Sequence, residues 1–123
     1  MSKLLSGRKV LVIEDEMLVV MMIEDMLADL GCEAITTAAT VDQALRHIND
    51  TAFDVAMLDM NLGGDSSETV ADALAANKVP FIYSTGNTSR GVREGHRDRP
   101  VLRKPFKFDT LEEFLAVAIA VRL

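Results

Sequence analysis

KVLVIEDEMLVVMMIEDMLADLG, Lys9 to Gly31, contains the decision about the fold. Its first six residues are β-branched and apolar until they stop at the acids Glu14 and Asp15, as a buried strand does. The remainder changes to helical spacing: Leu18, Met22, Met26 and Leu30 stack on one side, with Glu24, Asp25 and Asp29 offset. Gly31 then supplies a helix terminator. A strand of about six residues leading directly into a helix is half of a parallel βαβ unit.

The same unit recurs down the chain. CEAITTAA is a second, more polar strand that suits a sheet edge, and TVDQALRHIND is a helix with Thr40 at its N-cap. FDVAMLDM is a third strand, apolar until Asp59, and NLGGD a turn. SSETVADALAANK is a third helix, for which Asp65 and Glu68 stand at capping-box spacing. VPFIYST and a short RPVLRK are the fourth and fifth strands, and FDTLEEFLAVAIAVRL is a closing helix capped by Asp109. About five strand–helix repeats predict an α/β fold: a doubly wound parallel sheet with right-handed crossovers and helices on both faces.

At 123 residues the chain is read as one domain, 1–123, with no output domain after the last helix. Five Phe, one Tyr and no Trp leave the core to aliphatic residues, with Met17, Met21, Met22 and Met26 as fillers. A net charge of −6 and a pI near 4.8 argue against nucleic acid or a membrane surface as partner. The single cysteine, Cys32, excludes an internal disulfide and reads as a small buried residue. The N-terminus lacks the apolar run of a signal peptide, and a cytoplasmic location is expected. His47 falls among polar residues on the second helix and His96 in an Arg-rich loop; neither reads as a phosphohistidine.

Open α/β sheets bind ligands at the carboxyl ends of their strands. Here those ends carry Glu14 and Asp15, Asp59, Thr85 and Lys104. Three acids brought together repel one another, and a hard divalent cation relieves that repulsion. A metal and a lysine that neutralise phosphoryl oxygens, beside an Asp nucleophile, suit phosphoryl transfer to a carboxylate. Asp59, ending a central strand, is the candidate nucleophile. Glu14 and Asp15 are the candidate metal anchors, and Thr85 and Lys104 the grips on phosphoryl oxygens.

VLVIEDE, AMLDMN, STG and LRKPF, in this order and spacing, resemble the signatures of the bacterial response-regulator receiver domain. The resemblance extends over essentially the whole chain. It implies a flavodoxin-like (βα)5 sheet in the order 2-1-3-4-5, and phosphorylation of Asp59 by a histidine kinase or histidine phosphotransfer protein. It also implies Mg²⁺ or Mn²⁺ held by Glu14, Asp15, Asp59 and the main-chain carbonyl of Asn61, with Thr85 and Lys104 sensing the phosphoryl group. Lys104-Pro105 becomes a candidate cis peptide. VPFIYSTGN and LGGDSSETVADALAANKVPF are similar to a single-domain subgroup with a PFxFATGY strand. Ser84 replaces that pattern's Ala, and Asn87 its aromatic; Val101 stands where many receivers carry a switching Tyr or Phe.

The stretch STGNTSRGVREG, Ser84 to Gly95, occupies the place of a fourth helix, but Gly91 and Gly95 each cost about 1 kcal/mol there. A short or irregular fourth helix, acting as a mobile switch, is expected. From Gly86 to Lys104 the charge is +4, against −10 for the remainder, which suggests a recognition surface for an acidic downstream protein. The expected function is a signalling module, monomeric or dimerising on phosphorylation, that acts through protein–protein contacts and is not a turnover enzyme. A phosphate sink or shuttle in a phosphorelay is the alternative. An aspartyl phosphatase would need a second Asp where Asn61 stands, and a flavin carrier a phosphate-cradling loop where EDEM is anionic.

Overall fold

Alternate residues of each central strand face opposite sides, and in this chain both sides are apolar. The computed structural model describes residues 4–62, 65–85, 100–104 and 106–121, with the side chains at 61, 65, 66 and 121 outside that description. Strands β1 (Lys9–Ile13), β2 (Ala34–Ala38) and β3 (Val55–Asp59) are joined through helices α1 (Met17–Asp29) and α2 (Val41–Asp50). A two-stranded ribbon, β4 (Asn61–Leu62) with β5 (Asp65–Ser66), precedes α3 (Glu68–Ala76). Strands β6 (Phe81–Thr85) and β7 (Val101–Arg103) and helix α4 (Phe108–Val121) complete the described elements. The main sheet is parallel in the order β2-β1-β3-β6-β7, which is the expected 2-1-3-4-5 once the ribbon is set aside.

Val10, Val12, Val55, Met57 and Ile82 face one core, closed by Ile23 and Leu27 of α1, by Leu30 just after it, and by Leu111, Leu115 and Ala118 of α4. Leu11, Ile13, Ala56, Leu58, Phe81 and Tyr83 face the other, closed by α2 and α3 through Ala44, Ile48, Val70, Ala71 and Leu74. Each large side chain so buried contributes roughly 1.5–3 kcal/mol. This double burial is why the strands read as unbroken apolar runs. The polar β2 pairs only with β1, at the edge.

Local signals read from the sequence meet mixed outcomes. Thr40 Oγ1 accepts from the Gln43 amide at 3.1 Å, while Gln43 Oε1 accepts from the Ala39 amide at 2.8 Å, so α2 is capped reciprocally. Gly31 has φ +92°, the left-handed geometry of a helix terminator. Cys32 is buried, and burial pushes its thiol pKa up.

Four expectations are corrected. NLGGD contains strand residues of the β4–β5 ribbon and is more than a turn. The N-cap of α3 is Ser67, and Asp65 lies in β5. Asp109 lies inside the first turn of α4, one residue after its start at Phe108. Leu18 is 80% exposed and Met17 71%, and Met21 is exposed too; only Met22 and Met26 pack against the core. The buried row of α1 runs through Val19, Ile23, Leu27 and Leu30, one residue along from the row chosen by spacing. The segment expected to form a short fourth helix, and Pro105 of the candidate cis peptide, lie outside the described residues. No helix among the described residues is long and apolar enough to cross a membrane.

Candidate phosphoacceptor and metal site

Parallel strands with their helices returning across both faces leave every strand's carboxyl end on the same side of the sheet. Glu14 follows β1, Asp59 ends β3, Thr85 ends β6 and Lys104 follows β7. The backbone holds these ends together. The Glu14 amide donates to the Ala38 carbonyl at 2.9 Å, the Met60 amide to that of Ser84 at 3.0 Å, and the Lys104 amide to that of Thr85 at 2.8 Å. Each candidate side chain therefore stands on a fixed strand end.

One oxygen from each of Glu14, Asp15 and Asp59 lies within 4.8 Å of the others. Glu14 is 2% exposed and Asp59 5%, with Thr85 also buried, while Asp15 is open to solvent. Lys104 Nζ sits 2.6 Å from Glu14 Oε1 and 3.4 Å from Asp59 Oδ2, so two buried carboxyl groups share one ammonium. Glu14 Oε2 accepts from the Glu16 amide at 3.2 Å. Burial pushes the Glu14 carboxyl up to about 7; Lys104 opposes the rise, and the neighbouring Asp59 adds to it. For Lys104, burial favours the neutral amine, but Glu14 and Asp59 outweigh it and raise the pKa.

The chemistry of this cluster fits a hard cation. Its three donors are carboxylates, two of them buried. One ammonium against three carboxylates leaves negative charge uncompensated. Glu14, Asp15 and Asp59 can hold such an ion, with backbone carbonyl oxygen available where the chain continues into β4.

The structure brings Glu14, Asp15, Asp59 and Lys104 together and sets Thr85 at the end of the adjoining strand, while Asn61 begins β4 two residues beyond Asp59. Two residues were not anticipated. The Glu16 carboxylate stands 4.0 Å from Lys104 Nζ, at the N-cap position of α1 but making no cap hydrogen bond. Its place directly after the acid pair was the available signal. Ser67 is buried and its hydroxyl donates to the Met60 carbonyl at 3.0 Å. A partner seven residues upstream leaves no periodic trace in sequence.

A flavodoxin-like sheet with an acid cluster and a lysine at its carboxyl edge defines the class: an α/β module with a candidate cation site at its strand ends. The chain belongs to the response regulator receiver domain family, whose pattern matches residues 10–116. It is therefore a receiver domain of the two-component signalling type. SdrG from Sphingomonas melonis Fr1 has a solution structure that matches at 43% identity and a TM-score of 0.82, covering 97% of this chain and 99% of that one. The receiver domain of Erythrobacter litoralis PhyR matches at 31% identity and a TM-score of 0.80, over 94% of this chain and 92% of that chain. The receiver domain of the sensor histidine kinase PA1611 from Pseudomonas aeruginosa PAO1 matches at 27% identity and a TM-score of 0.78, over 94% and 99% of the two chains. That protein was solved with a magnesium ion coordinated in its active-site cleft. Comparison with curated proteins gives no match.

Proposed function

We propose that this receiver domain accepts a phosphoryl group on Asp59 from the phosphohistidine of a sensor kinase or phosphotransfer protein, in a Mg²⁺-dependent reaction. The observation that carries the reading is the 3.4 Å approach of Lys104 Nζ to Asp59 Oδ2 inside a cluster of three carboxylates. An ammonium held there is placed to neutralise phosphoryl oxygens as they arrive. A carboxylate oxygen of Asp59 attacks phosphorus, the P–N bond breaks, and its electron pair returns to the donor imidazole, which takes up a proton. Thr85, at the end of the adjoining strand, offers a hydroxyl to the bound group. Glu14, Asp15, Asp59 and the Asn61 carbonyl would hold Mg²⁺, which supplies neutralising charge to the phosphoryl oxygens. Attack by water on the acyl phosphate then restores the carboxylate, so the domain resets without being a turnover enzyme.

The donor approaches from α1. Met17, Leu18 and Met21 are exposed apolar side chains on the first turns of that helix, which begins two residues after Asp15 at the rim of the site. Output is by binding to a downstream protein through segment 86–104 and its neighbouring surface; of that segment, the described residues form β7 and the Lys104 end. A solved structure of SdrG in a BeF3-activated conformation, 43% identical to this chain, supports reading the site as a switch. A phosphate sink or shuttle would use the same chemistry.

The test is incubation with Mg²⁺ and a small phosphodonor such as acetyl phosphate, followed by intact mass. The wild type gains one phosphoryl group, and Asp59→Ala or addition of EDTA abolishes the gain. Equal labelling of Asp59→Ala contradicts the reading.

A further inference from the structure

Ser67 occupies the N-cap of α3 yet does not cap it. A serine at that position ordinarily accepts from an amide in the first turn. Here its carbonyl accepts the first helical bond, from the Ala71 amide at 2.9 Å, while its hydroxyl turns back and donates to the Met60 carbonyl at 3.0 Å. The side chain is buried, the residue being 4% exposed, so the bond is shielded from competing water.

Met60 directly follows the phosphoacceptor, and both of its backbone polar groups are engaged. Its amide, part of the Asp59–Met60 peptide plane, donates to the Ser84 carbonyl of β6 at 3.0 Å. Its carbonyl, part of the Met60–Asn61 plane, is held by Ser67. Two successive peptide planes after Asp59 are thereby fixed, one from the neighbouring strand and one from the start of α3. The next carbonyl, that of Asn61, lies one plane further on, so only the Asn61 torsions are left to turn it relative to Asp59.

We propose that Ser67 is a positioning residue of the metal site, clamping the Met60 carbonyl so that Asp59 and the Asn61 main chain face the cation together. This rests on the Mg²⁺ reading above. Groups that orient metal ligands typically change metal affinity by 10–100-fold when removed. One hydrogen bond to a backbone neighbour of the ligands belongs at the lower end of that range.

The experiment is calorimetric titration of the folded protein with Mg²⁺, repeated with Mn²⁺, alongside urea denaturation. The variants are Ser67→Ala and Ser67→Gly, both lacking the hydroxyl, and Val70→Ala, which removes fully buried side-chain volume from the same helix. Expected is a Kd about tenfold weaker in the Ser67 variants and unchanged in Val70→Ala, although all three lower the urea midpoint. Wild-type affinity in both Ser67 variants overturns the proposal. So does equal weakening in Val70→Ala, because affinity would then follow general stability. Failure of the wild type to bind either ion would overturn the metal reading itself, and this inference with it.

Discussion

Glu14 sits in an environment that opposes its own charge. Buried beside Asp59, it keeps its proton up to about pH 7 when folded, whereas its ordinary value is 4.5. Between those two values the folded chain binds more protons than the unfolded one. The contribution of this group to metal-free stability therefore falls as pH rises from 4.5 to 7, and the penalty is complete above that window. A cation at the cluster favours the ionised carboxylate, so stabilisation by Mg²⁺ should grow over the same window. Urea midpoints measured with Mg²⁺ and with EDTA should differ more at about pH 7.5 than at about pH 5, by on the order of 2 kcal/mol. Glu14→Gln should flatten the difference, and a Mg²⁺ effect independent of pH would contradict the account. Lys104 is the reason the two buried acids are tolerated without metal. Such a role could not be read from the motif, which marked Lys104 only as a ligand for phosphoryl oxygens.

Among the elements, α1 shows where sequence reading stopped. Met17, Leu18, Val19, Val20, Met21, Met22 and Ile23 are all apolar, so spacing alone could not say which row faced the core. The structure turns Ile23 and Leu27 inward and leaves Met17, Leu18 and Met21 outside. Replacing Leu18 and Met21 together by Ser should change stability by less than about 0.5 kcal/mol per site. It should slow transfer from a phosphohistidine donor while leaving labelling by acetyl phosphate intact. Equal slowing with both donors would show that the pair acts on the chemistry and not on docking.

Helix α3 ends differently. Lys78 has φ +59°, and the Val79 amide bonds to the Leu74 carbonyl at 2.9 Å, the geometry that usually selects glycine. Lys78→Gly should raise stability by about 0.5–1 kcal/mol, read from the urea midpoint; a fall would contradict this account of the turn. The cap of α2 was legible because Thr40, a capping residue type, directly precedes the helical run. The β4–β5 ribbon was not, because two-residue strands have no measurable period.

At the scale of the whole molecule, the alternation of strands and helices made a parallel α/β sheet legible, while its order came from the family resemblance. Apolar runs that stop at Glu14, Asp59 and Thr85 state both where a strand ends and what stands at its end. The parallel order of the strands then brings Glu14 and Lys104, distant in sequence, to 2.6 Å. The two cores, α1 and α4 on one face and α2 and α3 on the other, hold the strands from both sides, which suits the proposed in-line attack on phosphorus. What sequence could not supply was the pairing of Lys104 with both Glu14 and Asp59.

Chemical trapping of the phosphorylated residue tests the central claim most directly. Borohydride reduces an aspartyl phosphate to homoserine, and peptide sequencing by mass spectrometry then locates it. After incubation with acetyl phosphate and Mg²⁺, homoserine should stand at position 59, and it should be absent when EDTA replaces the metal. Homoserine at any other acid, or none at Asp59 in protein shown to be folded, would contradict the account.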